Sequence, residues 1–301
     1  MSQKFYYGGQ AVIEGVMMRG RDTLAIAVRC PSGEITVETQ PLPTIYTGWM
    51  RKAPFLRGII FMIENLVLGI KSLLYSANIS LGEEEEEISG KLAWLVVFVS
   101  LAFSVVLFFL VPLFLTRLFN IESSILFNLV DGLIRVVIFI LYLLAMSFVP
   151  DIRRVFSYHG AEHKTVNAYE ADTPLELEAI KKYGTAHVRC GTSFIFIVVI
   201  ISIIVFSLVG LHAAWLMVLS RIILIPVIAA IGYEIIYFSG RHTDNILVRI
   251  TSKPGLWLQS MTTREPDDSQ LEVALSALKG VMDAEEADET QRLEEMMESS
   301  D

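Results

Sequence analysis

A chain of 301 residues that is 53% hydrophobic and only 19% charged, with a mean hydropathy of +0.53, is too apolar for an ordinary soluble protein and reads as a membrane protein. The net charge of -9 is local: Glu83–Glu87 and the segment from Asp283 onward hold it, and the remainder carries +4. Nothing resembles a nucleic-acid surface, and Cys30 and Cys190, in no paired spacing, predict reduced thiols and no disulfide framework.

Residues 1–53 read as a cytoplasmic, glycine-rich region with a β-hairpin. Gly8, Gly9, Gly15 and Gly20 suggest turns and close backbone approach, and Phe5–Arg21 lacks the apolar core of a cleavable signal. Thr23–Arg29 and Glu34–Thr39 are strand-like runs on either side of a Cys30–Gly33 turn, so a hairpin is expected. Residues 54–91 read as an amphipathic helix and an acidic loop. In Phe55–Ala77 the charges of Arg57, Glu64 and Lys71 recur every seven residues, which predicts a helix lying in the interface or packed on a bundle, with a tilted span as the alternative.

Residues 92–149 predict two transmembrane helices, Leu92–Leu115 and Ile125–Val149, each long enough for a hydrocarbon core of roughly 30 Å. Asp131 and Arg135 in the second are four apart and read as a structural pair rather than a proton path. Residues 150–192 form a histidine-bearing loop, with a helix beginning near Pro150 and a short one within Leu175–Tyr183. Residues 193–239 predict the third and fourth spans, Phe194–Trp215 and Arg221–Phe238. Residues 240–282 read as a polar C-terminal segment ending in an amphipathic helix through Leu271, Ala274, Leu275, Leu278 and Met282. Residues 283–301 are expected to be an acidic disordered tail. Basic residues crowd the segment before Leu92 and the loop between spans two and three, so both termini and that loop are expected in the cytoplasm of a multi-pass cell-membrane protein.

The loop holds Tyr158-His159-Gly160-Ala161-Glu162-His163-Lys164. On a helix His159, Glu162 and His163 share one face, with Glu170 extending the same stripe. His-x-x-Glu-His is the inverted form of the zinc-peptidase pattern, in which two histidines hold the metal and the glutamate works on water.

Four stretches then resemble one family. They are Gly8–Gly20, Tyr158–Lys164, Arg189-Cys190-Gly191-Thr192-Ser193-Phe194 and Gln259–Asp267, in the right order between Gly8 and about Val281. The chain is similar to the YqhQ-like bacterial membrane proteins, also met in plastid lineages, whose members are described as predicted metal-dependent enzymes of unknown function. The resemblance implies membrane location and a metal, and supplies no substrate. Where the family pattern has His-Pro-Arg-Cys-Gly-Thr, this chain carries Val188 for the proline.

The expected metal ligands are His159 and His163, with His187, Glu234 and Glu170 as candidates to complete a divalent site, zinc by donor type. Against this, the pair could bridge loops at the membrane surface, and Glu234 could form a structural pair with Lys164 or Arg241. Cys190 would add a soft ligand if its segment curls, or mark a tight packing turn. Glu14 could approach the site or act as a turn carboxylate. Glu162 is the candidate general base, with fixing an imidazole as its alternative. The expected architecture is a mainly α membrane protein of about four transmembrane helices, an interfacial helix and a small cytoplasmic α+β cap. The expected function is a metal-dependent membrane enzyme, a hydrolase at the cytoplasmic interface acting on an amphiphilic or lipid-linked substrate. The alternatives are a carrier or channel with an ion-sensing histidine cluster, and a scaffold recruiting a partner through the acidic tail.

Overall fold

A computed structural model describes residues 5–81, 90–210, 213–242 and 245–298. The predicted acidic loop at Glu83–Glu87 lies outside them. Four strands, β1 (Gly8–Val12), β2 (Gly15–Arg19), β3 (Thr23–Arg29) and β4 (Ile35–Pro41), form an antiparallel meander in the order β1-β2-β3-β4. The β3–β4 hairpin is the expected one, closed where Cys30 donates its N–H to Glu34 and Gly33 returns one to Cys30. The glycine-rich opening is not a set of turns: it is the β1–β2 hairpin, with Gly8 opposite Arg19 and Val12 opposite Gly15.

Both faces of this sheet are buried. Val16, Met18, Ala25 and Ala27 pack against α6 (Pro150–Glu170) and α12 (Asp268–Glu298) through Tyr158, Ala161, Leu271, Ala274 and Leu278. The alternate residues Met17, Leu24, Ile26 and Val28 pack against α2 (Leu56–Leu81) through Ile60 and Leu68, beside Leu42 and Tyr46 of the turn around α1 (Thr44–Thr47). A period-two strand buried on both sides carries apolar residues almost continuously, as Thr23–Arg29 does.

Two members of the charged stripe of α2 are taken up by protein, and the third, Lys71, is exposed. Arg57 binds Glu234, and Glu64 is buried between Arg19 at 2.7 Å and Arg51 at 3.3 Å. The Ser76 hydroxyl accepts the Ile13 N–H, so α2 lies along the sheet from Ile60 to Ser76. Its other side exposes Ile63, Leu66 and Leu73.

Among the described residues, three helices are long and apolar enough to cross a membrane: Leu56–Leu81, Gly90–Arg117 and Ser124–Met146. Within Gly90–Arg117, α3 (Gly90–Val105) and α4 (Val111–Arg117) are joined by a π-turn over Val106–Leu110. It precedes Pro112, which has no N–H to give the preceding turn. α5 is Ser124–Met146, and α7 (Leu177–Ile180) is one turn in the loop after α6.

The last two apolar segments differ from expectation. α8 (Gly191–Val209) stops at Val209, where Gly210 takes φ +82°, and does not run to Trp215. The next begins at α9 (Ala214–Ile223), before Arg221, and bends by 43° into α10 (Ile225–Arg241), where Pro226 sits in the first turn. If each bent pair is one span, the candidate spans number four. α11 (Ile246–Thr262) fills the stretch read as simply polar, with Pro254 inside it, and packs along α8. The acidic tail is helical: α12 continues from Asp268 to Glu298, because its first half is pinned under the sheet and propagation beyond a fixed nucleus is cheap.

Between α5, α8 and α9 lies a buried polar knot. Asp131 accepts Arg135 at 2.7 Å and Arg221 at 3.4 Å, while Arg135 donates to Ser202 and Arg221 to Asn128. The expected Asp131–Arg135 pair is there, joined by a second cation.

Candidate metal centre

α6 opens with Pro150, whose fixed φ suits a first turn, and carries the motif on its middle turns. Two glycines let other elements come close. A Cβ at Gly160 would meet the Arg264 carbonyl at 2.0 Å, so the strand-like segment after α11 crosses α6 directly over it. A Cβ at Gly9 would meet Glu162 Cγ at 2.7 Å, so β1 lies against the glutamate.

The crossing segment orients the first histidine: His159 Nδ1 is 2.9 Å from the Thr262 carbonyl. His163 Nδ1 is 2.6 Å from the Thr185 carbonyl in the loop after α7. A carbonyl can only accept, so each Nδ1 is the donor of its bond, and each ring turns its Nε2 inward. The rings lie 4.4 Å apart.

Cys190 completes the cluster. It is the N-cap of α8, its Sγ accepting the Thr192 N–H, and Sγ is 3.3 Å from His159 Nε2. One ligand atom each from His159, His163 and Cys190 falls within 4.8 Å of the others. A tetrahedral zinc with Zn–N of about 2.0 Å and Zn–S of about 2.3 Å separates its ligand atoms by roughly 3.3–3.5 Å, so the His159–Cys190 edge already has the right length. Glu162 Oε2 stands 3.4 Å from His163 Nε2, on the same inner side. Glu162, His163 and Cys190 are buried and His159 is half-buried. Two imidazoles with preset tautomers and a soft thiol are a donor set that fits zinc.

The other expected ligands are placed differently. His187 lies beside the cluster, its ring 5.6 Å from that of His163, but its Nε2 is 3.2 Å from Glu170 Oε1. Glu170 also binds Arg189. Burial works to raise the Glu170 carboxyl pKa; the hydrogen bond from His187 and the Arg189 guanidinium outweigh it, and the net shift is downward. Glu170 and His187 thus face each other as a neighbouring pair. Glu234 is not brought to the histidines: it accepts the Phe55 N–H at 2.9 Å and binds Arg57, while Lys164 takes Glu265. The Arg241 side chain lies outside the described ones. Glu14 sits one turn back along α6, held by Arg154 and by the buried Tyr158 hydroxyl at 3.1 Å. Burial first, and then the Glu14 carboxylate, push the Tyr158 phenol well above its usual range.

Sequence reasoning missed Gln259. Fully buried, its Oε1 accepts the His187 N–H at 2.9 Å and its Nε2 donates to the His187 carbonyl at 2.8 Å. This clamp curls residues 187–190 so that Cys190, rather than His187, meets His159. An amide at the end of a helix otherwise exposing Ile250 and Trp257 was the available signal.

A helical bundle holding a histidine–cysteine cluster under a small sheet defines a class of chains with apolar, membrane-length helices. The family model for the protein of unknown function DUF1385 matches residues 53–284. The uncharacterized protein YqhQ of Bacillus subtilis (strain 168) is 36% identical over 296 residues, 92% of each chain. The chain belongs to this YqhQ-like family, whose function is unknown. No solved structure matches it.

Proposed function

We propose that the chain is a metal-dependent hydrolase of the cell membrane, working at the cytoplasmic interface on an amphiphilic or lipid-linked substrate. The convergence of His159, His163 and Cys190 within 4.8 Å carries this reading. The segments proposed to cross the bilayer are 90–117, 124–146, 191–209 and 214–241, with both termini cytoplasmic. α2 is proposed to lie in the interface: the β-sheet that packs on its Ile60 and Leu68 and donates to Ser76 cannot sit in hydrocarbon, while its exposed Ile63, Leu66 and Leu73 suit the headgroup boundary.

His159, His163 and Cys190 would hold the metal, zinc by donor type. Bound there, it supplies an electrophile for a carbonyl or phosphoryl oxygen and makes water more acidic. Glu162 is the group that takes the water's proton and passes it to the leaving group, its carboxylate held inward under Gly9. Thr262 and Thr185 fix the imidazoles through their carbonyls, and Gln259 fixes the loop that brings Cys190 in.

The test is to incubate detergent-solubilised wild type and Glu162→Gln with a polar lipid extract and follow the products by mass spectrometry. The reading expects a lipid class consumed by the wild type and spared by the variant, with equal metal in both. Equal consumption by Glu162→Gln removes the glutamate from the chemistry.

A further inference from the structure

The opposite side of α6 carries a second feature. A cavity of about 560 Å³ opens where α6 begins, lined by Pro150, Arg153, Arg154, Ser157, Arg264 and Glu265, with Asp267 and Gln270 at its floor. Its volume is that of a ligand site, about 300–1,000 Å³. At about 100° per residue, Arg153 and Ser157 lie on the face that continues through Gly160 and Lys164, whereas His159 and Glu162 point away from it and His163 lies about a quarter-turn round. The Thr262–Glu265 segment separates the two: Thr262 serves the histidine, Arg264 and Glu265 the cavity.

The charges here are unevenly matched. Arg154 is committed to Glu14, and Lys164 to Glu265. Asp267 caps α12, accepting the Ser269 hydroxyl at 2.6 Å and the Gln270 N–H at 2.9 Å. Arg153 and Arg264 are exposed and have no acidic partner among the described residues. Two guanidinium groups without acidic partners line one cavity, and each offers a planar donor fork suited to phosphate oxygens.

Position says where that phosphate comes from. Pro150 follows within four residues of Met146, the end of an apolar helix of membrane length, and the intervening Phe148 is 81% exposed. An exposed apolar side chain beside arginines without acidic partners, at the end of such a helix, suits the level where acyl chains give way to headgroups.

We propose that this cavity binds the phosphate of a phospholipid headgroup through Arg153 and Arg264. The carboxylates of Glu265 and Asp267 at the same cavity leave room for hydroxyl or ammonium donors on the remainder of the headgroup. The site stands apart from the metal cluster and does not depend on it. A lipid held there ties α6 to the bilayer.

The experiment measures the affinity of the full-length protein, in mild non-ionic detergent, for short-chain phosphatidylglycerol, the matching diacylglycerol and inorganic phosphate. Native mass spectrometry reads the adducts and thermal melting reads the stabilisation. Wild type should bind phosphatidylglycerol and ignore diacylglycerol. Arg153→Gln with Arg264→Gln should bind it about twenty-five-fold more weakly, about fivefold for each arginine. Both arginines are exposed, so the variant's unliganded melting temperature should match the wild type's. Equal binding of diacylglycerol, or an unchanged affinity in the double variant, overturns the proposal. Inorganic phosphate binding as well as phosphatidylglycerol at equal concentration assigns the cavity to a free anion and overturns the lipid source.

Discussion

The thiol of Cys190 stands 3.3 Å from Nε2 of His159, although 31 positions separate them in the chain. The contact joins the first turn of an apolar helix to the middle of a polar one. It makes the cysteine, not the nearby His187, the third member of the cluster. Cobalt-loaded protein should therefore show a sulfur-to-metal charge-transfer band that Cys190→Ser abolishes and His187→Ala keeps. A band that survives in the serine variant removes Cys190 from the ligand set.

Gln259 is the second support. Removing its amide leaves the buried N–H of His187 without a partner, at about 1–3 kcal/mol, and leaves its carbonyl only the 3.4 Å bond from the Cys190 N–H. Gln259→Ala should lower the melting temperature and weaken metal binding together. Gln259→Glu, which can still accept but not donate, should fall between. A melting curve for Gln259→Ala that overlays the wild type would show the clamp to be idle.

Glu14 sits at φ 51° in the β1–β2 turn, a backbone conformation that costs an L-residue about 1–2 kcal/mol. It is held there by Arg154 and Tyr158. Glu14→Ala and Glu14→Gly both lose these bonds, but glycine escapes the strain. The glycine variant should be the more stable by about 1 kcal/mol in chemical denaturation, and both should lie below wild type.

The Glu170 carboxyl is held below its ordinary value of 4.5 by His187 and Arg189 acting against burial. Its contribution to stability is complete above that value and disappears as pH falls through the depressed folded pKa. Glu170→Gln should thus melt below wild type at neutral pH and converge with it as the solution is acidified past 4.5. A gap that stays constant with pH would show that the charge is not what stabilises.

Asp131 neutralises two buried arginines with one carboxylate. Asp131→Asn should cost about 3–5 kcal/mol by leaving both cations buried and unpaired. Replacing Asp131, Arg135 and Arg221 together by leucine should cost less than the single change. The reverse order would mean that the knot is a net source of stability.

Much of this was legible because it is local. The strand-like run of Thr23–Arg29 and the Cys30–Gly33 turn specify a hairpin, and the i, i+4 spacing of His159 and His163 specifies a shared helix face. The stripe of Arg57, Glu64 and Lys71 pointed to a helix in the interface or packed on a bundle, and Arg57 and Glu64 do meet protein partners. What was not legible depends on distant partners. Glycines at 9 and 15 look like turn residues, yet they are strand residues against which Glu162 and β3 press. The acidic run after Asp283 looks disordered by composition, but it continues a helix nucleated under the sheet. Cys190 against His187 was decided by Gln259, about seventy positions away in the chain.

The measurement that bears most directly on the account is the metal content of the purified, chelator-free protein by elemental analysis, wild type beside His159→Ala and His163→Ala. The account predicts about one zinc per chain in the wild type and almost none in either variant, with all three still folded. A wild type without metal, whose histidine variants merely melt at lower temperature, would contradict it and leave the cluster as a set of hydrogen bonds between α6, α8 and the Thr262 crossing.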